Sequence, residues 1–197
     1  MLTSFSPITN KVCHALMKID VSSDTLEEAK RTYTNGILCV TNCMSALQEE
    51  RPTKSTFEVY NLAYEERFVN FIRKVYEINS DKAVLVETKM DELDNVTLLR
   101  ILTILDYRDK LLFLDMIKNA SKNAFVARDV RMLELLTRLA TRDLLYSTFH
   151  FLSKEITICC QPNLSFPFFV TNFDYVETYI ELAANSDLNL CNLQVKY

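Results

Sequence analysis

The sequence predicts an all-α fold: a single-domain bundle of about seven to eight helices over residues 1–197, crossed by an irregular, proline-containing segment near 156–171. Three observations lead there. Glycine occurs once, at Gly36, among 197 residues, where ordinary composition supplies about 7%. Tight hairpins, phosphate-cradling loops and nucleophile elbows draw on glycine for positive φ or close backbone approach. Apolar residues recur at spacings of three and four along most of the chain, the period of an amphipathic helix. Asp, Ser or Thr stands before several of those runs, where a side-chain oxygen can accept from the first unpaired amides.

Taken in order, Ser23-Asp24 caps a first helix with Leu26, Ala29, Tyr33, Ile37, Val40, Met44 and Leu47 inward, and Pro52 ends it. Ser55 and Glu58 form a capping box for a long second helix lined by Phe57, Tyr60, Leu62, Tyr64, Phe68, Phe71, Ile72, Val75 and Tyr76. A shorter third helix runs from Ser80-Asp81 toward Met90. Asp94 caps a fourth through Leu98, Leu99, Ile101, Leu102, Ile104 and Leu105, apolar over so much of its circumference that it belongs at the centre of the bundle. Asp106-Tyr107-Arg108-Asp109 makes the corner into a fifth, with Leu111, Leu112, Leu114, Met116 and Ile117. Asp129 opens a sixth, with Val130, Leu133, Leu136 and Leu139 inward, and Thr141 caps a seventh through Leu144, Leu145, Phe149, Phe151 and Leu152. From Ile156 to Thr171, β-branched residues, Pro162 and Pro167 give a short strand with a loop, or extended chain lying across the bundle. Asp174 caps a last helix over 175–184, and the Asn-rich residues 186–197 form a loosely ordered tail.

Composition limits function. The net charge is −4, with 22 basic residues interleaved among 26 acidic ones, so no basic stripe exists to neutralise phosphates and direct nucleic-acid binding is not expected. Apolar runs fall short of the ~20 residues that span a bilayer. The N-terminus lacks a signal-peptide pattern, and Leu2 stands where myristoylation needs glycine. These features predict an intracellular protein of cytoplasm or nucleus, its six cysteines reduced thiols, and sequons at Asn95, Asn119 and Asn163 without glycan.

Candidate chemistry is sparse. Cys13 and His14 are adjacent and point about 100° apart on a helix, so they do not form a nucleophile and base. His150, between Phe149 and Phe151, reads as a core histidine rather than a general base. Cys39 and Cys43, four apart on a predicted helix, could reach one zinc, with His14, Cys13 or the Cys159-Cys160 pair completing the tetrahedron. That spacing matches no zinc knuckle or ribbon, and core burial explains the thiols equally well. Paired acids such as Glu27-Glu28 and Glu65-Glu66 have basic neighbours and read as solvated faces. No catalytic residue, cofactor or small-molecule substrate is expected. Twelve Phe and nine Tyr stand without a single Trp, and Phe166-Pro167-Phe168-Phe169 is the predicted exposed apolar patch, suited to a partner helix or a second copy. A lid over the bundle is the equal alternative.

Residues 131–152, with Leu133, Leu135-Leu136 and Arg142-Asp143-Leu144-Leu145, faintly resemble the last helices of death-effector domains. The arginine sits one place off that family's pattern and no second motif accompanies it, so nothing is carried over. The expected role is a non-enzymatic interaction or assembly protein, working with a protein partner or as a homo-oligomer. By association alone, its texture suggests an accessory or structural protein of a virus. The alternatives are a zinc-binding or thiol-dependent enzyme using Cys39, Cys43 and a histidine, and a regulatory subunit of a larger nucleic-acid-associated complex.

Overall fold

An eight-stranded antiparallel sheet, not a helical bundle, organises the chain. The structure is a computed structural model, and it describes residues 5–21, 25–40, 54–79, 83–119 and 123–196, apart from the side chains of Asn10 and of 54–60. The readings at Ser23-Asp24, Cys43, Met44, Leu47, Pro52 and Ser80-Asp81 lie outside the described residues, as do the side chains of Ser55, Phe57, Glu58 and Tyr60.

The strands are β1 (Phe5–Ile8), β2 (Thr34–Cys39), β3 (Val84–Thr88), β4 (Ala124–Ala127), β5 (Ser147–Phe151), β6 (Ile156–Cys160), β7 (Phe166–Val170) and β8 (Asn189–Gln194). Their spatial order is β1-β4-β3-β5-β6-β7-β2-β8, and every pairing is antiparallel. The helices are α1 (Asn10–Leu16), α2 (Leu26–Thr32), α3 (Lys54–Ile78), α4 (Asn95–Ile104), α5 (Tyr107–Ile117), α6 (Val130–Thr141) and α7 (Val176–Ala184), with 3-10 turns at Met90–Glu92 and Phe173–Tyr175.

The all-α expectation fails because this sheet is covered on both faces. A half-exposed strand alternates apolar and polar residues, but a strand buried on both sides is a short apolar run that periodicity cannot distinguish from helix. All five residues of β6 are buried, and so are four of the five in β7. Four expected helical or loose segments change accordingly. The first predicted helix stops at Thr32 and passes into β2, and the third is replaced by β3. Beyond Thr141 the chain forms β5 rather than a seventh helix, so 131–152 is helix and then strand. The predicted tail at 186–197 holds β8, hydrogen-bonded to β2.

One face carries the main core: Val84, Val86, Phe149, Phe151, Ile156, Ile158, Phe166 and Phe168 pack beneath α3, α6 and α7. The Phe68 ring of α3 lies 4.6 Å from Phe166, and Tyr179 of α7 sits 5.3 Å from Phe168. Each such ring contributes ~1.5–3 kcal/mol through burial. The opposite face is covered by the N-terminal segment. Cys13 of α1 packs with Leu85 and Ala124, while Ile19 and Ala29 pack with Cys159 and Phe169.

Scarcity of glycine does not prevent these turns, because other residues take left-handed backbone. Glu155 closes the β5–β6 turn, and Asn163 and Leu164 the β6–β7 turn, all at positive φ. Asp143 and Asp187 occupy the position after α6 and α7 where glycine is usual. There Leu144 N–H donates to Leu139 O and Leu188 N–H to Ala183 O, the bond pattern of a Schellman motif. The end of α6 is also tied sideways: Arg142 donates from Nε and Nη2 to the Glu65 carboxylate at 2.6 and 2.7 Å, and Thr141 Oγ1 donates to it at 3.1 Å. Thr141 is therefore inside α6 and does not cap a further helix.

Candidate functional site

One group of ionisable side chains on the sheet's second face is held by β3 and β5, with Thr157 of β6 beside it. His150 faces Thr157 across the β5–β6 ladder, and Glu87 lies one diagonal step away on β3. His150 Nε2 is 3.1 Å from Glu87 Oε2, and Nδ1 is 3.0 Å from Thr157 Oγ1. A carboxylate only accepts, so Nε2 carries the proton; with the ring neutral, the Thr157 hydroxyl donates to Nδ1. Both nitrogens are satisfied and His150 is 2% exposed, which makes it a core histidine without access to a substrate.

Cys13 and Cys159 on this face, and Cys160 on the main-core face, are equally closed. Burial, with the Glu87 charge adding to it, pushes the Cys13 thiol up to about 12. Burial pushes Cys159 to about 12 as well, against a hydrogen bond from Thr148, and raises Cys160 well above the usual thiol range. All three are protonated at neutral pH and make poor nucleophiles.

Of the predicted zinc residues, Cys43 lies outside the described residues, and Cys39 and His14 are on different elements. Cys39 is on strand β2, not on a helix shared with Cys43, and its Sγ lies 2.8 Å from Cys191 Sγ of β8. His14 is exposed in the last turn of α1, with Nδ1 3.9 Å from Asp20 Oδ2. Among the described residues, no group of three or more His, Cys, Asp or Glu is placed to hold a metal ion. The expected apolar patch also lies inward: Phe166, Phe168 and Phe169 are buried in β7, between β6 and β2, and Pro167 is half-buried.

Exposed apolar surface is found instead on α4 and α5. Both helices begin as the sequence predicts: Asp94 Oδ1 accepts from Thr97 N–H at 2.6 Å, and Asp106 Oδ1 from Asp109 N–H at 2.8 Å. Their placement differs. The helix expected at the centre buries only Ile101, and α5 buries only Phe113 and Met116. Outward lie Val96 (74% exposed), Leu99 (66%) and Tyr107 (75%), with Ile104, Leu111 and Leu114 also exposed. Tyr107, Leu111 and Leu114, spaced four and three, form one stripe on α5, flanked by exposed Arg108 and Asp115. Arg138 Nη1, 3.6 Å from Asp109 Oδ2, links the inner side of α5 to α6. Burial and then the Asp106 charge hold the Asp109 carboxyl above the usual carboxylate range, while Arg138 pulls it down.

Next to the start of α4, a cleft of about 200 Å³ is lined by Lys89, Leu93, Asp94, Thr97, Leu145 and Tyr146; ligand pockets start nearer ~300 Å³. Sequence reasoning located both helices but not which face turns outward, because a helix apolar on most sides carries no signal of its orientation.

No family model, no curated protein and no solved structure matches this chain. Among the described residues, no helix is long and apolar enough to cross a membrane.

Proposed function

We propose that this chain is a non-enzymatic, intracellular assembly protein that pairs with a second copy of itself through α4 and α5. The carrying observation is the stripe Tyr107, Leu111 and Leu114 on α5, with Val96, Leu99 and Ile104 exposed on the preceding helix α4. Monomeric surfaces scatter such residues singly, whereas clusters of them mark interaction sites. Each contributes ~1–2 kcal/mol when a partner covers it, and a two-fold interface counts each one twice.

Charge favours a second copy over an unrelated partner. In antiparallel packing of α5 on its own copy, a two-fold axis near Leu111 sets Leu111 against Leu111. The same axis sets Arg108 of one copy opposite Asp115 of the other, because the two lie at nearly equal distances on either side of it.

Sedimentation equilibrium in the micromolar range tests the reading. The wild-type chain is expected to be dimeric, and the variant carrying Leu99→Glu and Leu111→Glu monomeric with an unchanged circular dichroism spectrum. A wild-type chain monomeric throughout that range, or a variant as dimeric as wild type, contradicts it.

A further inference from the structure

We propose that Cys39 and Cys191 form a peroxide-responsive dithiol, a modification site whose disulfide ties edge strand β8 to β2. The pair comes from opposite ends of the chain, 152 positions apart, yet the two sulfurs are 2.8 Å apart. That is about 0.8 Å beyond the ~2.0 Å of a sulfur–sulfur bond.

Strand pairing creates the juxtaposition. Ile37 faces Cys191 and Cys39 faces Asn189, so the two cysteines share a face on one diagonal of the ladder. The chain's lone glycine contributes to this geometry. A Cβ at Gly36 would stand 3.2 Å from the Cys191 carbonyl oxygen and 3.3 Å from Leu190 Cδ1, so the missing side chain lets β8 lie close against β2 at this point. The register shift between Asn35 and Ile37, together with Asn192 at φ 52°, bends the edge strand locally where Cys191 lies against β2.

Accessibility marks out one member of the pair: Cys191 is partly exposed, whereas Cys39, Cys13, Cys159 and Cys160 are buried, so Cys191 is the sulfur that a peroxide reaches first. The Cys191 thiolate attacks one peroxide oxygen; the O–O bond breaks, leaving Cys191 as a sulfenic acid and releasing hydroxide, which takes up a proton. Cys39 sulfur then attacks the sulfenic sulfur. The S–S bond forms, the S–O bond breaks, and water departs with the Cys39 proton. With hydrogen peroxide, two thiols and one peroxide give one disulfide and two waters. The sulfurs lose two electrons and the peroxide gains them.

The test treats the folded, reduced full-length chain with stoichiometric hydrogen peroxide, blocks remaining thiols with an alkylating agent, and maps the peptides by mass spectrometry. The expected result is loss of two free thiols, one intrachain linkage joining the Cys39 and Cys191 peptides, and reversal by dithiothreitol. Cys43→Ser retains the linkage. Cys39→Ser leaves a Cys191 sulfenic acid that a dimedone probe traps, and Cys191→Ser abolishes the linkage, each with an unchanged circular dichroism spectrum. A linkage through Cys43, a linkage between chains, a linkage formed only after denaturation, or full retention of free thiols overturns the proposal.

Discussion

Removing the Glu65 carboxylate is the perturbation whose cost follows most directly from geometry. Its two oxygens accept three hydrogen bonds, two of them from the Arg142 guanidinium at 2.6 and 2.7 Å and one from Thr141 Oγ1 at 3.1 Å. The Glu65 side chain is 7% exposed and that of Arg142 23%. Glu65→Ala strands a largely buried cation, while Thr141 Oγ1 keeps the Arg138 carbonyl oxygen as an acceptor at 2.9 Å. Breaking a buried pair from one side costs ~3–5 kcal/mol, and the partial access of water to Arg142 sets the expectation at the lower end, about 3 kcal/mol. For a chain of this length that lowers the thermal midpoint by roughly 6–12 °C. Urea unfolding followed by circular dichroism measures it. A double-mutant cycle with Arg142→Met isolates the pair, with an expected coupling of about 2 kcal/mol or more. Coupling under ~0.5 kcal/mol, the range of exposed pairs, would refute the reasoning that this bond fastens the end of α6 to α3.

Three smaller changes probe the backbone and the electrostatics. Asp187→Gly places the unhindered residue at a left-handed position (φ 54°) and raises the urea midpoint, with a gain of about 0.5–1 kcal/mol; a loss would contradict the assigned strain. Gly36→Ala forces a methyl group within 3.2 Å of the Cys191 carbonyl and costs about 1 kcal/mol in the same assay, whereas an unchanged midpoint would mean that β8 yields freely. Asp109→Asn changes the pH dependence. The folded carboxyl lies above its unfolded value, so the native state binds the extra proton and this group's contribution to stability declines as pH climbs above about 4. The Asn variant therefore gains on wild type through that rise, and a difference independent of pH would count against the burial of Asp109.

Helix starts are legible from local chemistry. Asp94 and Asp129 each accept from a first-turn amide as their spacing implies, Asp106, read as part of a corner, does the same, and α3 to α7 lie close to where apolar period places them. The cap before α7 is a near miss: Asn172, not Asp174, accepts the amide hydrogen bond that opens the 3-10 turn leading into it. The sheet is illegible for two physical reasons. Strands such as β6 and β7 bury both faces and so lose their alternation, and turns at Glu155, Asn163, Leu164 and Asp187 adopt positive φ without glycine. Depletion of one residue type thus misled the fold assignment.

Tertiary pairing, invisible to local pattern, decides the rest. It sets Glu87 beside His150, and Cys39 beside Cys191. It also turns the aromatic run at Phe166 inward, and it packs Leu98, Ile101 and Leu102 of α4 on the core while Val96, Leu99 and Ile104 stay exposed.

Charge exchange at the α5 surface tests self-pairing most directly, because it separates specific contact from general stickiness. Arg108→Asp alone and Asp115→Arg alone are each expected to weaken dimerisation about tenfold or more in sedimentation equilibrium, and the double variant to restore it to near the wild-type constant. Two single variants that dimerise like wild type, or a double variant no tighter than the singles, would contradict the two-fold contact through α5.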